Sequence, residues 1–173
     1  VLGMPYLAST DRVTKEMVLN LCDPMFSMPS NYRKKTSMGV DVGSKLHVTI
    51  LDPKDKYRII HVGEYKNFED LDNVMLKFNV QEAVFDALPE TRKVREFIGR
   101  HKHKAWMCYY SEHQKGSYGW NEVERSVSVN RTESLDFGTD KILKSELIPP
   151  QRSPMIELFA IHCENIAKVP EEN

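Results

Sequence analysis

No run of apolar residues in this chain approaches the ~18–20 that a membrane-spanning helix needs. Its start lacks the basic, apolar and small-residue progression of a secretory signal. Proline and glycine, nine and eight of 173 residues, are too few for a collagen-like or low-complexity polymer. The three cysteines, Cys22, Cys108 and Cys163, stand far apart, and no Cys-x-x-Cys pair occurs. His101 and His103 have no cysteine at zinc-ligand spacing, so neither a disulfide framework nor a Cys/His zinc site is expected. Inert free thiols in a reducing compartment are the expectation. An excess of one charge is also missing: 24 Lys and Arg face 25 Asp and Glu, for a net charge of −1. A polyanionic partner must then be held by a local basic face, not by overall charge. These absences predict a soluble intracellular domain with no membrane partner.

What is present is the mix of one globular domain, 40% hydrophobic and 28% charged, at a length within the roughly 100–200 residues of a typical domain. Such a chain buries a sizeable core without covalent staples. It opens on Val1, which reads as the continuation of a longer polypeptide. Residues 1–37 are mixed in texture, with one short helix expected near Thr14–Leu19 and a basic Tyr32-Arg33-Lys34-Lys35 stretch, and read as an appendage or linker. Residues 38–173 read as the main fold. Met38–Gly43, Leu46–Leu51 and Tyr57–Val62 are β-type runs joined by short turn signals, which predicts an antiparallel meander. Asn67 is placed to cap a helix bearing Phe68, Leu71, Val74, Met75 and Phe78 on one face. Glu82–Asp86 reads as a fourth strand, Pro89 opens a second helix, and Lys104–Tyr110 reads as a fifth strand. A Gly- and aromatic-containing loop, a hairpin arm over Val123–Val129, a helix capped by Asn130 with Glu133 at N3, and a helix from Ser153-Pro154 complete the pattern. The order implies an α/β fold, a mixed sheet with helices on its faces. No internal repeat, heptad pattern or long apolar stripe appears, so the isolated domain is expected to be monomeric.

Two carboxylates stand out. Asp41 lies between two valines in the first strand, pointing opposite to them, and burying it without a partner costs several kcal/mol. Gly39 and Gly43 leave room beside it for a ligand to approach. Asp86 closes the apolar run Ala83-Val84-Phe85, where ligands collect in open α/β sheets, outside the carboxyl ends of strands. If the first and fourth strands are neighbours, the two converge. Paired carboxylates with few other ligands suit Mg²⁺ or Mn²⁺, and two such ions ~3.5–4 Å apart serve phosphodiester hydrolysis. Directly after Asp86, the residues Arg92, Lys93, Arg95, Arg100, Lys102 and Lys104 form a basic cluster suited to DNA phosphates. A solvated helix face is the alternative for these residues. Tyr118 and Trp120 in the Gly-containing loop either wedge against nucleic acid or cover a core edge. His162, on the apolar face of the last helix, reads as a core histidine.

Gly39-Val40-Asp41-Val42-Gly43-Ser44 is similar to the first phosphate loop of the sugar-kinase and actin-type ATPases, but the second acidic strand, Phe85-Asp86-Ala87-Leu88-Pro89-Glu90, lacks the glycine that reading requires. A different ordered set is more specific. Val1–Tyr6 with Val13–Glu16, then Gly39–Gly43, Phe85–Glu90, Asn130–Asp136 and Phe159–Asn165, resembles the C-terminal nuclease domain of tailed-phage terminase large subunits, over nearly the whole chain. The resemblance implies an RNase H-like, resolvase-like fold whose acidic triad binds two Mg²⁺ or Mn²⁺ ions. It implies endonucleolytic cutting of concatemeric viral double-stranded DNA during genome packaging in the host cytoplasm. The implied partners are the portal protein, the small terminase subunit and an ATPase domain preceding residues 1–37. Asp41 and Asp86 match the first two members of the triad as catalytic and metal-binding residues. The third is expected beyond Asn173, together with the final helix, with Asp136, Asp140, Glu157 and Glu164 as substitutes within the chain. The alternatives are a Holliday-junction resolvase or transposase of the same fold, or a non-catalytic DNA-gripping or portal-docking module.

Overall fold

The computed structural model describes residues 12–168, so the expectations attached to residues 1–6 lie outside the described residues. Eight strands form one mixed sheet: β1 (Thr36–Val42), β2 (Leu46–Asp52), β3 (Tyr57–Tyr65), β4 (Val80–Asp86), β5 (Ala105–Tyr110), β6 (Gly119–Asn121), β7 (Ser126–Val129) and β8 (Leu147–Ile148). Their spatial order is β6-β7-β5-β4-β1-β2-β3-β8. Strands β1 to β3 are the antiparallel meander the sequence predicts, and β4 and β5 add to it in parallel beside β1. Among the described residues five helices flank the sheet: α1 (Lys15–Asn20), α2 (Phe68–Lys77), α3 (Thr91–Arg100), α4 (Arg131–Leu143) and α5 (Pro154–Lys168). The architecture is α/β and RNase H-like.

Alternation along the strands divides the molecule into two layers. Met38, Val40 and Val42 of β1, Leu46, Val48 and Ile50 of β2, and Phe85 of β4 face one side. There they meet Phe68, Leu71, Val74 and Met75 of α2 and Val94, Phe97 and Ile98 of α3. On the other side Ile59 and Val62 of β3 pack against Val18 and Leu19 of α1, Ile142 of α4, and Ile156 and Ala160 of α5. Ile59 and Val62 share a face despite their odd spacing because β3 carries a bulge. Ile50 pairs with His61 and Leu51 with Ile59, which leaves Ile60 as the extra residue and turns it toward the first core.

The helix starts follow the capping residues. Asn67 accepts from the Asp70 N–H at 3.1 Å, Asn130 from the Glu133 N–H at 3.0 Å, and Ser153 from the Ile156 N–H at 3.2 Å. Glu133 departs from a reciprocal capping box: its carboxylate accepts the Gly116 N–H at 3.0 Å and ties the loop after β5 to the first turn of α4. Pro89 does not open its helix. The helical run starts at Thr91, whose hydroxyl donates to the Ala87 carbonyl at 2.6 Å.

Three further features differ from the sequence expectation. The boundary drawn at residue 37/38 falls inside β1, and the stretch before it contributes Val13, Val18 and Leu19 to the second core. Trp120 lies in a strand, because the hairpin runs from β6 to β7 and starts ahead of Val123. Strand β8, two residues paired in parallel with the start of β3, is too short to leave a periodic trace. The cysteines are free, with Cys108 buried and Cys22 and Cys163 half-buried. Among the described residues no helix is long and apolar enough to cross a membrane.

Candidate active site

Strands β1 and β4 are adjacent and parallel, with Val40 opposite Phe85, so both carboxyl ends emerge at the same edge of the sheet. Asp41 and Asp86, far apart in sequence, meet there. The valines flanking Asp41 are buried under α2 and α3, and Asp41 therefore opens onto the opposite, solvent-facing side. Gly39, two residues back on the same face, would meet nothing within 4 Å if it carried a Cβ, so the space beside Asp41 stays clear.

Asp86 is more enclosed. Its Oδ2 accepts the Val42 N–H at 3.3 Å. Burial and then the neighbouring Asp41 carboxylate push its pKa up to about 7. The Val42 N–H and then the nearby Tyr110 hydroxyl, at the end of β5, offset part of that rise. Tyr110 itself is pushed up to about 12 and Cys108 to about 11, both by burial first and then by the charge of Asp86. Every one of these shifts disfavours an anion, by burial first and by neighbouring negative charge second. Among the described residues neither Asp41 nor Asp86 enters an ion pair with a Lys, Arg or His. A hard divalent cation is the partner that two such oxygen donors fit.

The carboxylates lie in a cleft of about 670 Å³. Val84, Cys108, Val127 and Val129 form its floor, Tyr118 and Trp120 of the hairpin region line one part of it, and Arg131, Ser134 and Leu135 of α4 another. A smaller cavity of about 220 Å³ adjoins Asp41 on the side of α5. There His47 of β2, paired in register with Asp41, meets His162 of α5 edge to face at 4.8 Å between ring centroids. His162 is therefore half-buried at a cavity beside the carboxylates, where the sequence predicts a core position.

Among the described residues no third carboxylate joins the pair. Among the described residues no group of three His, Cys, Asp or Glu is close enough to hold a metal ion. Of the substitutes within the chain, Asp140 pairs with Lys144 at 3.2 Å and Glu164 accepts the Lys15 N–H at 2.8 Å.

The basic cluster sits elsewhere. Helix α3 packs on the Phe85 side of β4, so its exposed residues belong to the layer opposite the cleft. Arg95 and Lys102 line a groove of about 560 Å³ on that layer, with Arg125, whose guanidinium lies 3.6 Å over the Trp106 ring. Arg92 pairs with Glu96 at 3.2 Å, Lys93 approaches Glu90 at 4.0 Å, and Arg100 pairs with Asp72 at 3.2 Å. Lys104 is exposed just before β5. The six residues do not form one face looking onto Asp41 and Asp86. The cation that does line the cleft is Arg131, at the start of α4, which the sequence pattern presents only as a helix-start residue. Tyr110 is also unmarked by any motif. Its place at the carboxyl end of a parallel strand, the edge where ligands collect, is the signal that points to it.

Comparison with known proteins adds no assignment: no protein-family model matches the chain, and no curated protein matches it.

Proposed function

We propose that this chain is a divalent-metal-dependent endonuclease acting on double-stranded viral DNA, the activity implied by its resemblance to terminase large-subunit nuclease domains. The observation that carries this reading is the convergence of Asp41 and Asp86 at one sheet edge, in an open cleft, with no cationic side chain among the described residues paired to either. Mg²⁺ or Mn²⁺ held there would supply neutralisation of the scissile phosphate and a water activated for attack, as in two-metal phosphodiester hydrolysis. The chain's own residues do the positioning. The Val42 N–H fixes the Asp86 carboxylate, and Arg131, the cation of the cleft lining, offers a phosphate contact of the charge-assisted kind. Concatemeric DNA as substrate, the portal and small terminase subunit as partners, and the host cytoplasm as location belong to the same proposal.

The test is nicking of supercoiled plasmid by the chain in Mg²⁺, in Mn²⁺ and in chelator. The expected result is cutting in one or both metals and none in chelator. A folded protein that leaves the plasmid intact in every metal contradicts the reading and favours a non-catalytic DNA-gripping module.

A further inference from the structure

The cleft that holds the carboxylates is lined more by ring and aliphatic surface than by charge. Tyr118 and Trp120 are 52% and 48% exposed within it, although large aromatics are ordinarily covered. Their rings stand edge to face at 6.5 Å. Trp120 is braced from behind by Trp106, edge to face at 4.6 Å, and Trp106 is in turn covered by the Arg125 guanidinium at 3.6 Å. The loop carrying Tyr118 is anchored to α4 through the Gly116–Glu133 hydrogen bond at 3.0 Å. This is a supported aromatic platform, not a loose surface pair.

A continuous duplex presents phosphates to a protein and hides the faces of its bases in the stack. Among the described residues lining the cleft, Arg131 is the only Lys or Arg, so a ladder of duplex phosphates finds little to grip. Exposed rings beside one cation match an unpaired strand, whose bases stack on aromatic side chains while its backbone takes occasional cationic contacts. The volume, about 670 Å³, falls within the roughly 300–1,000 Å³ range of sites that enclose a small ligand.

We propose that the cleft receives a single strand of DNA, with bases stacked on Trp120 and Tyr118 while the backbone passes Asp41 and Asp86. This rests on the nuclease reading of the same carboxylates and names its immediate substrate: the strand is unpaired where it enters, so a duplex is cut where it frays or is held open. The basic groove on the opposite layer takes no part in this contact.

The two tryptophans provide the assay. Trp106 is 7% exposed, so emission quenched by a ligand reports on Trp120. An oligodeoxythymidylate of about twelve nucleotides, within the roughly 4–16 that single-strand sites span, is titrated at low salt in Ca²⁺ and in chelator, beside a blunt duplex of equal length. The expected result is quenching by the single strand at a Kd at least about tenfold below that of the duplex. Trp120→Ala is expected to weaken binding, followed by a labelled strand, about tenfold or more, the size of one lost base–aromatic stack. Trp120→Phe restores most of it, and Tyr118→Ala gives an independent second loss. Equal quenching by duplex, no quenching by either, or unchanged affinity in both Ala variants overturns the inference even if plasmid nicking succeeds. Single-strand quenching in a protein that nicks nothing upholds the platform and removes the nuclease reading.

Discussion

Asp86→Asn is expected to abolish metal-dependent nicking and, in chelator at pH 8, to raise the melting temperature. The two effects have one origin. Asp86 is held close to a second carboxylate in a partly desolvated corner, and its folded-state pKa stands near 7 where an unfolded Asp titrates near 3.8. A carboxyl raised in this way favours the folded state fully only below about pH 3.8. Its contribution is lost progressively as pH rises through 7, because the unfolded chain releases the proton more readily. Above pH 7 the folded protein carries that cost in full unless a cation offsets it. Discounted for the solvent that reaches this open cleft, the cost is on the order of 1–2 kcal/mol. Asn keeps an oxygen for the Val42 N–H and removes the charge. The variant should therefore gain a few degrees, at about 2–4 °C per kcal/mol for a domain of this size, and its stability should decline less between pH 5 and pH 8. The activity loss should be about a thousandfold, the loss of roughly 4 kcal/mol of transition-state stabilisation. Plasmid nicking and thermal scans across pH check the two halves. A variant that loses activity by unfolding, or keeps it while folded, is incompatible with the site described.

Phe85→Ala should produce the largest loss of stability. Phe85 is fully buried, with its ring 4.7 Å from that of Phe97 and 6.1 Å from that of Phe68, and it joins β4 to both helices of the first layer. Truncating such a ring removes its transfer energy and leaves a cavity, together about 3–5 kcal/mol, against a total of roughly 5–15 kcal/mol for a domain. In urea the midpoint should fall with the slope unchanged, and Phe85→Leu should recover most of the difference. A cost below about 1 kcal/mol would show that the layer is not packed through this ring. Phe85 also immediately precedes Asp86, so the same core that stabilises β4 fixes the carboxylate at the sheet edge.

Much of this arrangement is legible in the residues. Alternation in β1 and β2, the turn at Asp52-Pro53, and the Asn and Ser caps are local signals, and local signals survive folding because hydrogen bonding and side-chain direction act over a few residues. The meeting of Asp41 and Asp86 depends on β1 lying beside β4, a pairing that the sequence allows and the sheet order supplies. The basic cluster shows where sequence proximity misleads. Arg92 to Lys104 follow Asp86 closely in the chain, but α3 must bury Val94, Phe97 and Ile98 against Phe85, and a strand sends Phe85 and Asp86 to opposite faces. Alternation at that one position already excludes a shared face. Less accessible were Arg131, Tyr110 and the role of Glu133. Each acts on a residue distant in sequence, through contacts set by how the hairpin and α4 close over the sheet.

The central claim is that Asp41 and Asp86 together form a divalent-cation site, and Mn²⁺ binding tests it most directly. Calorimetric titration of the chain with Mn²⁺ at pH 7.5 should show binding that releases protons, because Asp86 is partly protonated near neutrality and the cation displaces its proton. The released protons appear as a dependence of the binding heat on the ionisation enthalpy of the buffer. Asp41→Asn with Asp86→Asn should remove both the binding and the proton release. Binding that survives the double substitution, or no binding by the folded protein at millimolar Mn²⁺, would contradict the account.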